Sequence, residues 1–278
     1  MQSYQSVFSS TAVGDLPTIS AWLASAVSGL YTSSWGAFKD GPFESFRGRT
    51  FPRSVLFSLG LLALLYATPS LREQVQALTL AQLFLLVMGL ERTWSEIYKW
   101  CFRGPRHESL FTIPQQFTFF GHKVQSAPVR FVLGLGLTAA LAFGVGIQMP
   151  ITSRFMFVLV AFCSGLGVSV GGAYKDAPFE GFQPLKFFRS SLVLVAVSPL
   201  LFHLGPQRLG FLVFTYVGIE RMLIEYYKSF IVGSVPGKFR ADLPIIEGPF
   251  LTTRHLLHKL ATVIVLFVGG LYVLAVWR

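Results

Sequence analysis

The chain has 278 residues, is 53% hydrophobic and only 13% charged, and carries a formal net charge of +10. A soluble domain has roughly 25% charged residues, so this composition excludes one and points to a lipid bilayer. The basic excess does not call for nucleic acid, because Lys and Arg flanking apolar spans are what membrane orientation requires. The two cysteines, Cys101 and Cys163, are too few for a disulfide framework or a thiolate metal cluster.

Residues 1–16 read as a polar, Ser/Thr/Gln-rich lead. Asp15 is the only charge before Lys39, so there is no basic region of the kind that opens a secretory signal, and the lead is expected to stay attached. A helix crossing an apolar core of about 30 Å needs about 20 residues. Eight stretches qualify or nearly do: 17–38, 53–68, 77–98, 127–147, 152–174, 188–204, 208–230 and 255–277. Prolines 17, 52, 69, 128, 150 and 206 lie at or near their ends, where a missing N–H costs least. The second and sixth stretches are short. The first and fifth are rich in small residues, among them Gly29 and Gly165, which let helix backbones approach closely in lipid. They are therefore expected at the centre of the bundle.

An internal duplication organises the chain. Lys39-Asp40-Gly41-Pro42-Phe43-Glu44-Ser45-Phe46 returns as Lys175-Asp176-Ala177-Pro178-Phe179-Glu180-Gly181-Phe182, identical at six of eight positions. Gly89, Glu91, Arg92, Glu96, Tyr98 and Lys99 return as Gly218, Glu220, Arg221, Glu225, Tyr227 and Lys228. The register that pairs Lys39 with Lys175 is shortened where Glu91 meets Glu220 and regained where His122 meets His258, so the length changes fall in connecting loops. Each copy contains four spans, so both enter the membrane in the same sense. The expected fold is all-α, with about eight transmembrane helices in two parallel four-helix repeats, 1–147 and 148–278. Their pseudo-two-fold axis is expected along the membrane normal.

Seventeen of the 23 Lys and Arg residues fall in the connections after spans one, three, five and seven, against four on the opposite side. The positive-inside rule then places both termini outside and the Lys-Asp motifs on the cytoplasmic side, or the matrix side of a mitochondrial membrane.

Eight of the 13 acidic residues are the paired positions Asp40/Asp176, Glu44/Glu180, Glu91/Glu220 and Glu96/Glu225. A charge near the centre of a spanning helix costs at least about 2.5–3.5 kcal/mol unless it is paired or watered, so such residues mark function by default. Arg92, Glu96 and Lys99 stand at i, i+4 and i+7, as do Arg221, Glu225 and Lys228, and each stripe can neutralise itself. Glu91 and Glu220 point about 100° away. Their expected partners are Lys39 and Arg53, or Lys175 and Arg189. In the Lys-Asp motif the proline is expected to end the helix, with Asp40 and Asp176 capping a short new one and Glu44 and Glu180 in its first turn.

These residues point to binding or transport of a small solute or ion at a charged layer in the cytoplasmic half. Glu91, Arg92, Glu220 and Arg221 are expected at its inner level. An enzyme acting on a lipid headgroup through Asp40, Glu44, Asp176 and Glu180 is a second reading, and an accessory subunit of a membrane complex a third. Retention of all the charges in both copies favours binding, transport or scaffolding over an asymmetric catalytic site. Each carboxylate is accompanied by Lys or Arg, which competes with a metal ion, so neither metal nor cofactor is expected. The expected partners are the bilayer and anionic lipid headgroups, not nucleic acid.

Overall fold

The structure, a computed structural model, describes residues 16–104, 108–233, 238–240 and 242–277. The polar lead up to Asp15, Arg106 and Arg278 lie outside the described residues. The chain is all-α. Its helices are α1 (Leu16–Glu44), α2 (Arg53–Ala67), α3 (Pro69–Ala77), α4 (Leu80–Ile97), α5 (Ala127–Val145), α6 (Arg154–Glu180), α7 (Pro184–His203), α8 (Leu209–Tyr226), α9 (Pro249–Thr253) and α10 (His255–Val276). Two-residue ladders join Thr118–Phe119 to His122–Lys123 and Pro150–Ile151 to Gln207–Arg208. Each apolar stretch of the sequence is a helix.

Three boundaries differ from expectation. The third stretch starts a little later than expected: Thr79 starts α4 with a reciprocal cap, its hydroxyl accepting from the Gln82 N–H while the Gln82 side chain takes the Thr79 N–H, and the connection before it forms a separate helix, α3. The sixth is not short, because Pro184 starts α7 at the first helical position and the helix runs for 20 residues. The Lys-Asp motif is not a break followed by a capped helix: α1 continues through Pro42 to Glu44 and α6 through Pro178 to Glu180. Each proline sits two residues before the helix end, so it removes a single bond, the one to the carbonyl four residues back, and leaves no long helix beyond it to disrupt. Asp40 and Asp176 are thus side chains of a helical turn, not caps.

The spans divide into interior and peripheral sets. Five helical segments, Gly48–Ala67, Ala127–Val145, Arg154–Glu180, Pro184–His203 and Pro249–Val276, are long and apolar enough to cross a membrane, and only 17–33% of each apolar window is buried. Their free faces carry large hydrophobic side chains such as Leu56, Phe143, Phe155, Leu192 and Leu266. The less apolar α4 and α8 are buried nearly all round. Such an apolar exterior around a polar-containing interior is compatible with a membrane bundle.

α4 and α8, rather than the first and fifth spans, form the central crossing. A Cβ on Gly89 would fall against the Phe214 carbonyl and 2.9 Å from the Gly218 nitrogen. One on Gly218 would fall against the Leu85 carbonyl and 3.0 Å from the Gly89 nitrogen. The contact is reciprocal, each glycine meeting its own counterpart in the other copy. The small residues of α1 and α6 serve a local approach instead. A Cβ on Gly29 would lie 2.6 Å from the Ser54 carbonyl of α2, and one on Gly165 would lie 2.6 Å from the Ser191 nitrogen of α7.

Candidate functional site: a basic chamber between the motif helices

All fourteen charged residues singled out from the sequence line one cavity of about 1510 Å³. They are Lys39, Asp40, Glu44, Arg53, Glu91, Arg92 and Glu96, with Lys175, Asp176, Glu180, Arg189, Glu220, Arg221 and Glu225. The central crossing of α4 and α8 brings their two charged stripes together, and the last turns of α1 and α6 add the Lys-Asp motifs. Twelve Lys and Arg residues line the cavity against eight Asp and Glu, so the chamber is net basic.

Ion pairs lace the chamber, and several differ from the sequence expectation. Lys39 Nζ lies 3.2 Å from Glu225, and the corresponding Lys175 Nζ lies 3.9 Å from Glu96. Each motif lysine thus reaches the stripe of the other copy, not Glu91 or Glu220. The stripes neutralise themselves only in part: Lys99 bonds Glu96 at 2.9 Å and Arg221 lies 3.3 Å from Glu225, but Arg92 leaves its own stripe for Glu220. Glu220 also accepts from Ser190 at 2.7 Å.

Glu91, only 1% exposed, breaks this correspondence. It accepts from Ser95 one turn on, at 2.7 Å, and among the described residues no cation stands within 4.0 Å of it. Two cations are free in the opposite sense. Arg53 and Arg189, at corresponding registers, have no carboxylate within 4.0 Å among the described residues, and the Nε of each is buried without a hydrogen-bond partner. The expected pairing of these arginines with Glu91 and Glu220 is therefore replaced by the helix-to-helix bonds above, which leaves the Nε of each cavity-lining arginine without an acceptor.

The connections after α4 and α8 close the motif end. Phe111 and Phe239 pair there, with rings 5.2 Å apart, and backbone bonds run from Thr112 to Lys238 and from Arg240 to Leu110. Lys238 reaches down to Asp40 at 2.6 Å and to Glu44 at 3.7 Å. Burial works against the Asp40 charge, but Lys238 and Lys39 outweigh it and hold this carboxyl below the ordinary carboxylate range. Glu180 is held by Lys186 at 2.6 Å. Lys238 was not distinguished in the sequence, because its segment lies outside both motifs.

Trp35 was also missed. Its ring lies 4.5 Å from Lys39 Nζ and 4.2 Å from the Arg221 guanidinium carbon, covering both cations. In the register that pairs Lys39 with Lys175, its counterpart is Gly171, and on that side the ring near the motif lysine is instead Trp100, 5.9 Å from Lys175 Nζ. Comparing the two copies position by position would have exposed that difference. No protein-family model, curated protein or solved structure matches the chain.

Proposed function

We propose that this is a polytopic membrane protein of eight spans, built as two parallel four-helix repeats about a pseudo-two-fold axis along the membrane normal. In this reading the chamber binds a small anionic solute on the cytoplasmic or matrix side, and transport would begin from that bound state. One observation carries the reading: charged motif residues far apart in the sequence converge on a single net-basic cavity, where Arg53 and Arg189 have no carboxylate partner among the described residues. Each of these half-buried arginines has a buried Nε without an acceptor, and a planar fork suits phosphate or carboxylate oxygens. The reciprocal Gly89 and Gly218 contact and the matching Lys39 and Lys175 pairs support the two-fold layout. The headgroup-enzyme reading has less support, since Asp40, Glu44 and Glu180 are already held by lysines.

The test is anion-dependent stability. Glycerol 3-phosphate should raise the melting temperature of the purified protein at constant ionic strength, by the equivalent of about 2.7 kcal/mol at a hundred times its dissociation constant. Arg53→Ala together with Arg189→Ala should abolish that increment. Absence of any anion-specific increment in the wild type would overturn the reading.

A further inference from the structure

We propose that the anion is the headgroup of a phospholipid, which enters sideways between α5 and α6 and lays its tails in an apolar groove continuous with the chamber. This rests on the anion-binding reading above and assigns its substrate class. The groove arises where the two copies differ. In one, α10 packs along α1 and α4, with Ala261, Ile264 and Val268 buried against a core containing Tyr31 and Trp35. In the other, α5 packs on α4, on the turn after it and on α8, but makes no such interface with α6.

The sequence supplies the reason. Tyr31 and Trp35 of α1 correspond to Gly167 and Gly171 of α6. A Cβ on either glycine would meet nothing within 4 Å, so these glycines admit no neighbouring backbone and instead leave open space. The space is part of the chamber's cavity. Leu137 and Leu141 of α5 and Met156 and Leu159 of α6 form its walls, and Val213 and Val217 of α8 its floor. Met156 and Leu159 are each 41% exposed, so the groove opens on the apolar exterior. From Met156 to Gly171 it follows about 22 Å of helix, most of the way across a hydrocarbon core of about 30 Å.

Size and charge both fit a lipid. The cavity of about 1510 Å³ exceeds the roughly 300–1,000 Å³ of a small-ligand pocket, so a small anion would fill only the basic end. At that end the Trp35 ring covers both Lys39 and Arg221, whereas on the Gly171 side Trp100 stands farther off, 5.9 Å from Lys175 Nζ, and no corresponding ring contact with Arg92 is found among the described residues. Arg189 adds a buried Nε without a partner, and Ser164 and Ser169 add buried hydroxyls without partners, on the same side. A phosphodiester carries the acceptors these donors lack, and its tails match the groove.

The experiment compares three ligands on full-length protein by native mass spectrometry: phosphatidylglycerol, phosphatidylcholine with the same tails, and glycerol 3-phosphate. Phosphatidylglycerol should bind at least about tenfold more tightly than either of the others, a difference of about 1.4 kcal/mol. Gly167→Tyr, which restores the tyrosine of the other copy, should remove that advantage while leaving glycerol 3-phosphate binding unchanged. Should this variant fold poorly, phosphatidylglycerol carrying a photoreactive acyl chain tests the wild type, and its adducts should map to α5, α6 and α8. Glycerol 3-phosphate binding with no gain from the lipid, or adducts confined to α2, α7 and α10, would overturn the lipid assignment and leave the anion site standing. Binding of neither anion would overturn both.

Discussion

Glu220→Gln should lower the stability of the protein by about 3 kcal/mol, on the order of 10 °C in melting temperature, whereas Glu91→Gln should cost no more than about 1 kcal/mol. The two residues stand at equivalent places in the sequence repeat, yet their surroundings differ. Glu220 holds Arg92 from the opposite helix and accepts from Ser190. Removing its charge leaves the Arg92 guanidinium at the chamber wall without its carboxylate partner. The loss falls at the low end of the range for a broken buried pair, because a fifth of the Arg92 side chain is exposed. Among the described residues Glu91 holds the Ser95 hydroxyl alone, a bond that the glutamine oxygen can still accept. Thermal melts of both variants check the difference, and adding Arg92→Gln to Glu220→Gln should recover part of the loss. Equal losses at the two sites would contradict the asymmetric pairing.

Gly89→Leu and Gly218→Leu should each reduce the yield of folded, monodisperse protein several-fold, since overpacking against unyielding backbone costs about 1–3 kcal/mol or more. Even an alanine Cβ at either site would lie against the carbonyl of the facing helix. The change would push α4 from α8 and separate the charge pairs that bridge them. Gly29→Leu and Gly165→Leu should also lower the yield, because their neighbours are backbone atoms of α2 and α7. Leu at the exposed Ala63 of α2 should be tolerated. Size-exclusion profiles of all five variants measure this. Tolerance at Gly89 would remove the tight crossing from the account.

The helices were legible because apolar runs of helix length have few other uses, and every such stretch is a helix. The charged set stands out in the sequence because ionised residues among apolar ones are rare, and the fold brings all fourteen to the border of one cavity. Partner choice was not. A stripe at i, i+4 and i+7 predicts bonds along its own helix, but the Gly89 and Gly218 crossing brings the two stripes close enough for Arg92 to prefer Glu220. The proline misled in a similar way: its effect depends on its distance from the helix end, which a dipeptide does not reveal. The groove between α5 and α6 depends on two glycines whose meaning emerges only beside Tyr31 and Trp35. Taken alone they resemble packing glycines such as Gly165.

The central claim is that two repeats cross the bilayer in the same sense and bring both Lys-Asp motifs to one side. Single cysteines at Ser45, at Gln183 and at Ser70, in a chain lacking Cys101 and Cys163, test it through their reaction with an impermeant maleimide in sealed vesicles of known orientation. Ser45 and Gln183 follow the two motifs, and Ser70 lies in α3 beyond the opposite end of α2, all three on exposed sites. The account predicts that Ser45→Cys and Gln183→Cys label from the cytoplasmic or matrix face and Ser70→Cys from the other. Labelling of Ser45→Cys and Gln183→Cys from opposite faces would contradict it.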